Sequence, residues 1–135
     1  MTASLVLTRS QLQSMRRHVC RRAPQEACGL LAGKGSRVER TLGIPNVERS
    51  PCLFRMEPHA QLRAFQQVEA AGLELVGIYH SHPSGPEHPS PTDLAQAVYP
   101  VAYLIWARVG KKWQLRAFHM TGGKFSEIAL EIVSS

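Results

Sequence analysis

The chain has 135 residues, room for one domain with its own core, and 1–135 reads as a single domain. Its composition, 44% hydrophobic and 19% charged, excludes a disordered or fibrous class, and it holds no apolar run long enough to span a bilayer. The net charge of +6 comes from dispersed basic residues rather than a stripe interleaved with aromatics, which argues against nucleic acid. A solvated basic surface, or steering of an acidic protein partner, accounts for it more simply.

The first residues, Met1 to Arg9, lack the basic and apolar regions of a signal peptide, so the expected setting is cytoplasmic. Residues 9–22 are predicted helical: Thr8 or Ser10 can cap them, Leu12, Met15 and Val19 form a stripe, and Pro24 follows. The run 27–33 is short, apolar and closed by Gly33, as in a buried strand, and 37–44 is a second strand. A Pro-rich stretch leads to a helix at 58–71, begun by Pro58 and followed by Gly72. Residues 74–80 form a central strand and 83–91, with four prolines and a glycine, a loop. A helix then starts near Ser90 and ends before Pro100. Strands follow at 101–109, 113–120 and 125–133, joined by Gly-containing turns. The pattern is α/β, with one sheet, helices against it and antiparallel strands towards the end.

Cys20, Cys28 and Cys52 are too few and scattered for a disulfide framework or a metal clip. They are expected to be reduced and mostly buried. The functional alternative is a catalytic thiol at Cys28, close to Glu26.

The chemistry concentrates between Tyr79 and Asp93. Side chains two apart on a strand share a face, so His80 and His82 project together from a strand end. The loop can fold the chain back, bringing Asp93 out of the first turn of the next helix. Two imidazoles and a carboxylate are the three protein ligands of a catalytic zinc, which keeps its fourth position for water. That water needs a base. Glu87 is near in sequence; Glu26 is the better candidate, because a charge directly before a buried strand is out of place unless it is used.

These residues resemble a known family. Glu26, a long gap, then His80-Ser81-His82, Ser90 and Asp93 resemble the motif of the JAMM (MPN+) metalloproteases. Glu26-Ala-Cys-Gly-Leu-Leu-Ala-Gly33, the positions Asn46, Pro51, Phe54 and Pro58, and Gly77-Ile-Tyr-His80 extend the likeness to roughly 5–120. The compact size resembles the stand-alone prokaryotic branch. The resemblance implies an α/β (α+β) fold of MPN/JAMM type, a cytidine-deaminase-like mixed sheet flanked by helices. It implies one Zn2+ per chain on His80, His82 and Asp93, Glu26 as general acid/base, and Ser90 as donor to the oxyanion. The implied reaction is hydrolysis of the peptide or isopeptide bond after the C-terminal Gly-Gly of a ubiquitin-like or sulfur-carrier protein. No membrane partner is implied, and a homodimer is compatible with the sequence.

Simpler readings stand beside these. Ser90, Pro91 and Asp93 also spell a helix N-cap, a first-turn proline and an acid at the third position. The histidine pair could be a satisfied strand end, and Glu26 an ordinary carboxylate. His88 could touch substrate or metal, whereas His18, His59 and His119 read as bystanders and Trp106 and Trp113 as packing. A catalytically silent module that only binds a ubiquitin-like partner is the alternative function.

Overall fold

The computed structural model describes residues 4–134. Along them run β1 (Ser4–Thr8), α1 (Arg9–Arg22), β2 (Cys28–Lys34), β3 (Arg37–Ile44), α2 (Pro58–Ala70), β4 (Glu74–His82), α3 (Pro91–Gln96), β5 (Ala102–Val109), β6 (Lys112–Thr121) and β7 (Lys124–Val133). The strands form one mixed sheet in the order β1-β3-β2-β4-β5-β6-β7, which closes because β1 also pairs with β7. β4, the strand of the two histidines, lies between antiparallel β2 and parallel β5.

Period-2 alternation divides the core. One cluster joins Leu31, Tyr79, Leu104 and Trp106 to Met15 and Val19 of α1. The other joins Leu30, Ile78, Tyr103 and Ile105 to Ala64 of α2. Trp106 belongs to the first cluster and Trp113 packs at its edge, as packing residues should. α1 starts at a capping box: the Gln11 N–H donates to Thr8 Oγ1 (3.1 Å) and the Thr8 N–H to Gln11 Oε1 (2.9 Å). β2 can lie against β4 because Gly29 has no side chain; a Cβ there would enter the Tyr79 ring and the Leu42 carbonyl. The β6–β7 turn needs two residues at positive φ, and Gly122 (61°) and Gly123 (75°) supply them.

Two features differ from the sequence reading, β1 and the exposure of the cysteines. β1 is a strand: Leu5 and Leu7 are buried in alternation, and its parallel pairing with β7 is a long-range contact that five residues cannot announce. α3 starts after Ser90 and ends before Pro100, as expected, stopping at Gln96 with Ala97 already extended. Of the cysteines only Cys28 is buried; Cys20 lies on the outer face of α1 and Cys52 in the loop before α2, both exposed, so the expectation of mostly buried thiols is corrected. No helix of the described residues is long and apolar enough to cross a membrane.

Candidate metal centre and active site

His80 and His82 end β4 on one face, with 1% and 3% of their surface exposed. The loop after them returns the chain to Ser90, which caps α3, and Asp93 turns back from its first turn. The three side chains meet. His80 Nε2 and His82 Nε2 are 3.1 Å apart, and Asp93 Oδ2 lies 3.2 Å from the first and 3.0 Å from the second. Ligands about 2.0–2.1 Å from a tetrahedral ion stand roughly 3.3 Å from one another, so this triangle is close to one face of a zinc tetrahedron. Three such donors leave the fourth position open.

The rings are oriented from behind. His82 Nδ1 donates to the Pro86 carbonyl at 2.7 Å; a carbonyl can only accept, so the Nε2 lone pair faces the triangle. The His80 ring lies on Phe54, centroids 4.6 Å apart and planes 24° from parallel, and its Nδ1 has no partner among the described residues. Burial favours the neutral form of Asp93, yet hydrogen bonds from His80 and His82, the charge of His80 and the Ser90 N–H hold its carboxyl well below the usual carboxylate range. Burial pushes His80 down. In His82 burial is outweighed by Asp93, the Pro86 carbonyl and Glu26, and its pKa rises.

Glu26 stands beside this triangle, 3% exposed, and its Oε1 has no hydrogen-bond partner among the described residues. The backbone holds it there: its N–H donates to the Ser50 carbonyl at 2.7 Å and its carbonyl accepts from Asn46 Nδ2 at 3.0 Å. The next residue is stitched to β4, since the Ala27 N–H donates to Ser81 Oγ (2.8 Å) and the Ser81 N–H to the Ala27 carbonyl (3.0 Å). Burial raises the Glu26 pKa to about 8, helped by the charge of Asp93 and opposed by His82.

A Glu26 oxygen lies within 4.8 Å of the histidine ring nitrogens, so Glu26, His80 and His82 also form a metal-capable group. Distance separates the two carboxylates. Asp93, at 3.0 and 3.2 Å, has the spacing of a ligand beside ligands. Glu26 makes no ion pair with either ring among the described residues and stands within 4.8 Å of both.

Ser90 does what an N-cap does: its Oγ accepts from the Asp93 N–H (3.1 Å) and its N–H donates to Asp93 Oδ2 (2.9 Å). No acceptor takes its hydroxyl hydrogen among the described residues, so capping leaves Ser90 able to donate. The other candidates have partners elsewhere or are not ionised. Glu87 faces Arg116 at 3.8 Å, and His88 lies parallel to Phe125, centroids 5.9 Å apart. Burial, with the charge of Glu26, raises the Cys28 thiol to about 12, which leaves no thiolate at neutral pH. The sequence reading passed over the Phe54 stack and the Pro86 carbonyl; neither belongs to a residue type that advertises metal chemistry.

Comparison with known proteins places the chain in a family. Residues 8–120 match the family described as prokaryotic homologs of the JAB domain. The chain is 41% identical over 130 residues to a "Probable TtuB-protein conjugate cleaving protease" of Thermus thermophilus, covering 96% of this chain and 83% of that one. It is 36% identical over 133 residues to the "CysO-cysteine peptidase" of Mycobacterium tuberculosis, covering 96% and 91%. The fold is that of a JAB1/MPN domain protein from Archaeoglobus fulgidus, with TM-score 0.66, 21% identity, and 96% and 98% of the two chains covered. With the family match spanning most of its length and such relatives along nearly all of it, the chain belongs to the prokaryotic JAB-domain family.

Proposed function

We propose that the protein is a cytoplasmic zinc-dependent peptidase that cuts the peptide or isopeptide bond following the C-terminal Gly-Gly of a small ubiquitin-like or sulfur-carrier protein. The observation that carries this is the convergence of His80, His82 and Asp93 beside a buried carboxylate with an unpartnered oxygen. A single zinc held by that triad would supply Lewis acidity at the scissile carbonyl and acidify a water in its open position. Glu26 would act as the base that takes a proton from the attacking water and as the acid that returns it to the leaving amine. Burial holds the Glu26 carboxyl above the usual carboxylate range, which favours return of the proton after it has been taken. Ser90 donates its hydroxyl hydrogen to the developing oxyanion, a contact typically worth ~3–4 kcal/mol in the transition state. The Pro86 carbonyl and the Phe54 ring orient His82 and His80 so that their Nε2 atoms would be free to hold the ion.

The substrate class follows the relatives, a protease cleaving TtuB conjugates and a peptidase acting on CysO-cysteine. Glycines suit a site this enclosed because they let the backbone pass close to the side chains and strands around it. The test is incubation with ubiquitin-like carriers extended past Gly-Gly by an amino acid or a lysine isopeptide, read by mass spectrometry. Release of a carrier ending in Gly-Gly, stopped by a chelator and restored by zinc, is expected. Intact substrates in the presence of one bound zinc per chain would favour the silent binding module instead.

A further inference from the structure

The loop that joins His82 to Asp93 has no regular structure, and its hydrogen bonds are local. The Gly85 N–H donates to the His82 carbonyl at 3.0 Å, His82 Nδ1 to the Pro86 carbonyl at 2.7 Å, and His88 Nδ1 reaches only the Pro89 carbonyl at 3.0 Å. Its outer turn, Glu87 and His88, meets the body of the protein at the β6–β7 hairpin. The His88 ring lies 4° from parallel to Phe125, and Phe125 stands edge-on (87°, 5.5 Å) against Phe118, which is 2% exposed and part of the core. Glu87 faces Arg116 at 3.8 Å, and Arg116 is itself held by Glu127 through two bonds of 3.0 and 2.6 Å. Two chains of contact, one aromatic and one ionic, thus run from the hairpin to the segment that carries the Pro86 carbonyl and ends at Asp93.

Phe125 is 44% exposed, an unfavourable place for a phenyl ring on a hairpin unless the ring has a partner. Phe125 and Glu127 also lie past residue 120, beyond the stretch matching the JAB family, so the arrangement is no part of the motif that defines the site.

We infer that the β6–β7 hairpin is a clamp on the metal-site loop, in which Phe125 acting through His88, and Arg116 acting through Glu87, are positioning residues that set how tightly the site holds its metal. The inference rests on the metal site proposed above. A loop free to wander spends part of its time with Asp93 and the Pro86 carbonyl away from their partners, and an ion bound to the ordered arrangement is weakened by that fraction. Groups behind the ligands commonly change metal affinity tenfold or more. The aromatic chain carries the larger share, because the ionic one is solvent-exposed, with side-chain exposures of 41% at both Arg116 and Glu87.

The experiment is zinc competition at equilibrium against a chromophoric chelator, on the full chain. Phe125→Ala is expected to weaken zinc about tenfold, and Arg116→Ala two- to threefold. Phe125→Tyr and His88→Phe keep both rings and are expected to hold zinc as the wild type does. His88→Ala is expected to match Phe125→Ala, and the double variant to add little, because both single changes break the same contact. Ile132→Ala, on the same strand and 39% exposed, controls for general loosening of β7 and should leave zinc affinity unchanged. Unchanged affinity in Phe125→Ala, or an equal loss in Ile132→Ala, overturns the clamp. Loss of affinity in His88→Phe overturns it too and returns His88 to the metal. A wild type that takes up no zinc removes the metal site and the clamp together.

Discussion

Alternate residues of β4 face two environments of opposite character. On one side Tyr79 shares a 2.6 Å hydrogen bond with His18 Nδ1, and Ser81 Oγ accepts from the Ala27 N–H at 2.8 Å. On the other, His80 Nδ1 and the neighbouring Glu26 Oε1 are buried without partners, and three donor atoms crowd within 3.2 Å of one another. Both sides are equally inaccessible: Tyr79 and His80 are each 1% exposed. Burial alone therefore does not separate scaffold from site. Nor does an unpartnered atom by itself, since Trp106 Nε1, in the core cluster of Tyr79, is also buried without a partner among the described residues; the site is marked by unpartnered atoms standing beside three crowded donor atoms.

The sharpest break of this contrast is on the incomplete side. His82→Ala or Asp93→Ala is expected to bring zinc from about one per chain to near none, and turnover with it, as read by metal analysis on the purified variants. Tyr79→Phe, a single atom away on the other face, should keep both. Next in size is Ser90→Ala. Losing the oxyanion donor should lower kcat by about 10²–10³. Losing the N-cap should cost ~1 kcal/mol of stability, visible in thermal melts.

The satisfied side has a pH signature. Burial, with the charges of Arg22 and Arg21, lowers the His18 pKa to about 4. His18 is then neutral in the fold, while the unfolded chain binds its proton below about 6.5. Stability from this group is complete above that pH and is lost as pH falls towards 4. The loss is ~1.4 kcal/mol per pH unit, reduced by the partial exposure of His18 to ~2 kcal/mol in total. Denaturant melts at pH 6.5 and 4.5 should show that His18→Gln flattens this slope; an unaltered slope would contradict the burial. Smallest of all, Tyr79→Phe should cost ~1 kcal/mol with zinc content unchanged.

Much of this was legible in the sequence for reasons that can be named. A period of two puts His80 and His82 on one face whatever the sheet around them. Ser90-Pro91-Thr92-Asp93 carries its own helix start, and that start turns Asp93 back towards the strand end. Glu26 stood out because a charge before a buried strand needs a use. The turns at Gly110 and Gly122-Gly123 marked their own hairpins. What stayed hidden depends on distant partners. β1 is five residues whose role, closing the sheet against β7, is set more than a hundred positions away. The stack of Phe54 on His80 and the Pro86 carbonyl behind His82 arise from loops with no period to read. His88, which looked close enough to the metal to matter directly, is turned towards Phe125 by a hairpin that follows it by more than thirty residues.

The central claim is that the unpartnered Glu26 carboxylate moves the proton while His80, His82 and Asp93 hold the metal. Glu26→Gln keeps the shape and removes the group that can take and return a proton, so zinc content and turnover of a carrier extended past Gly-Gly, measured on one preparation, separate the two roles. The account predicts zinc retained at the wild-type level with turnover reduced at least 10²- to 10⁴-fold. Full turnover in Glu26→Gln, or loss of zinc from it, would contradict the account.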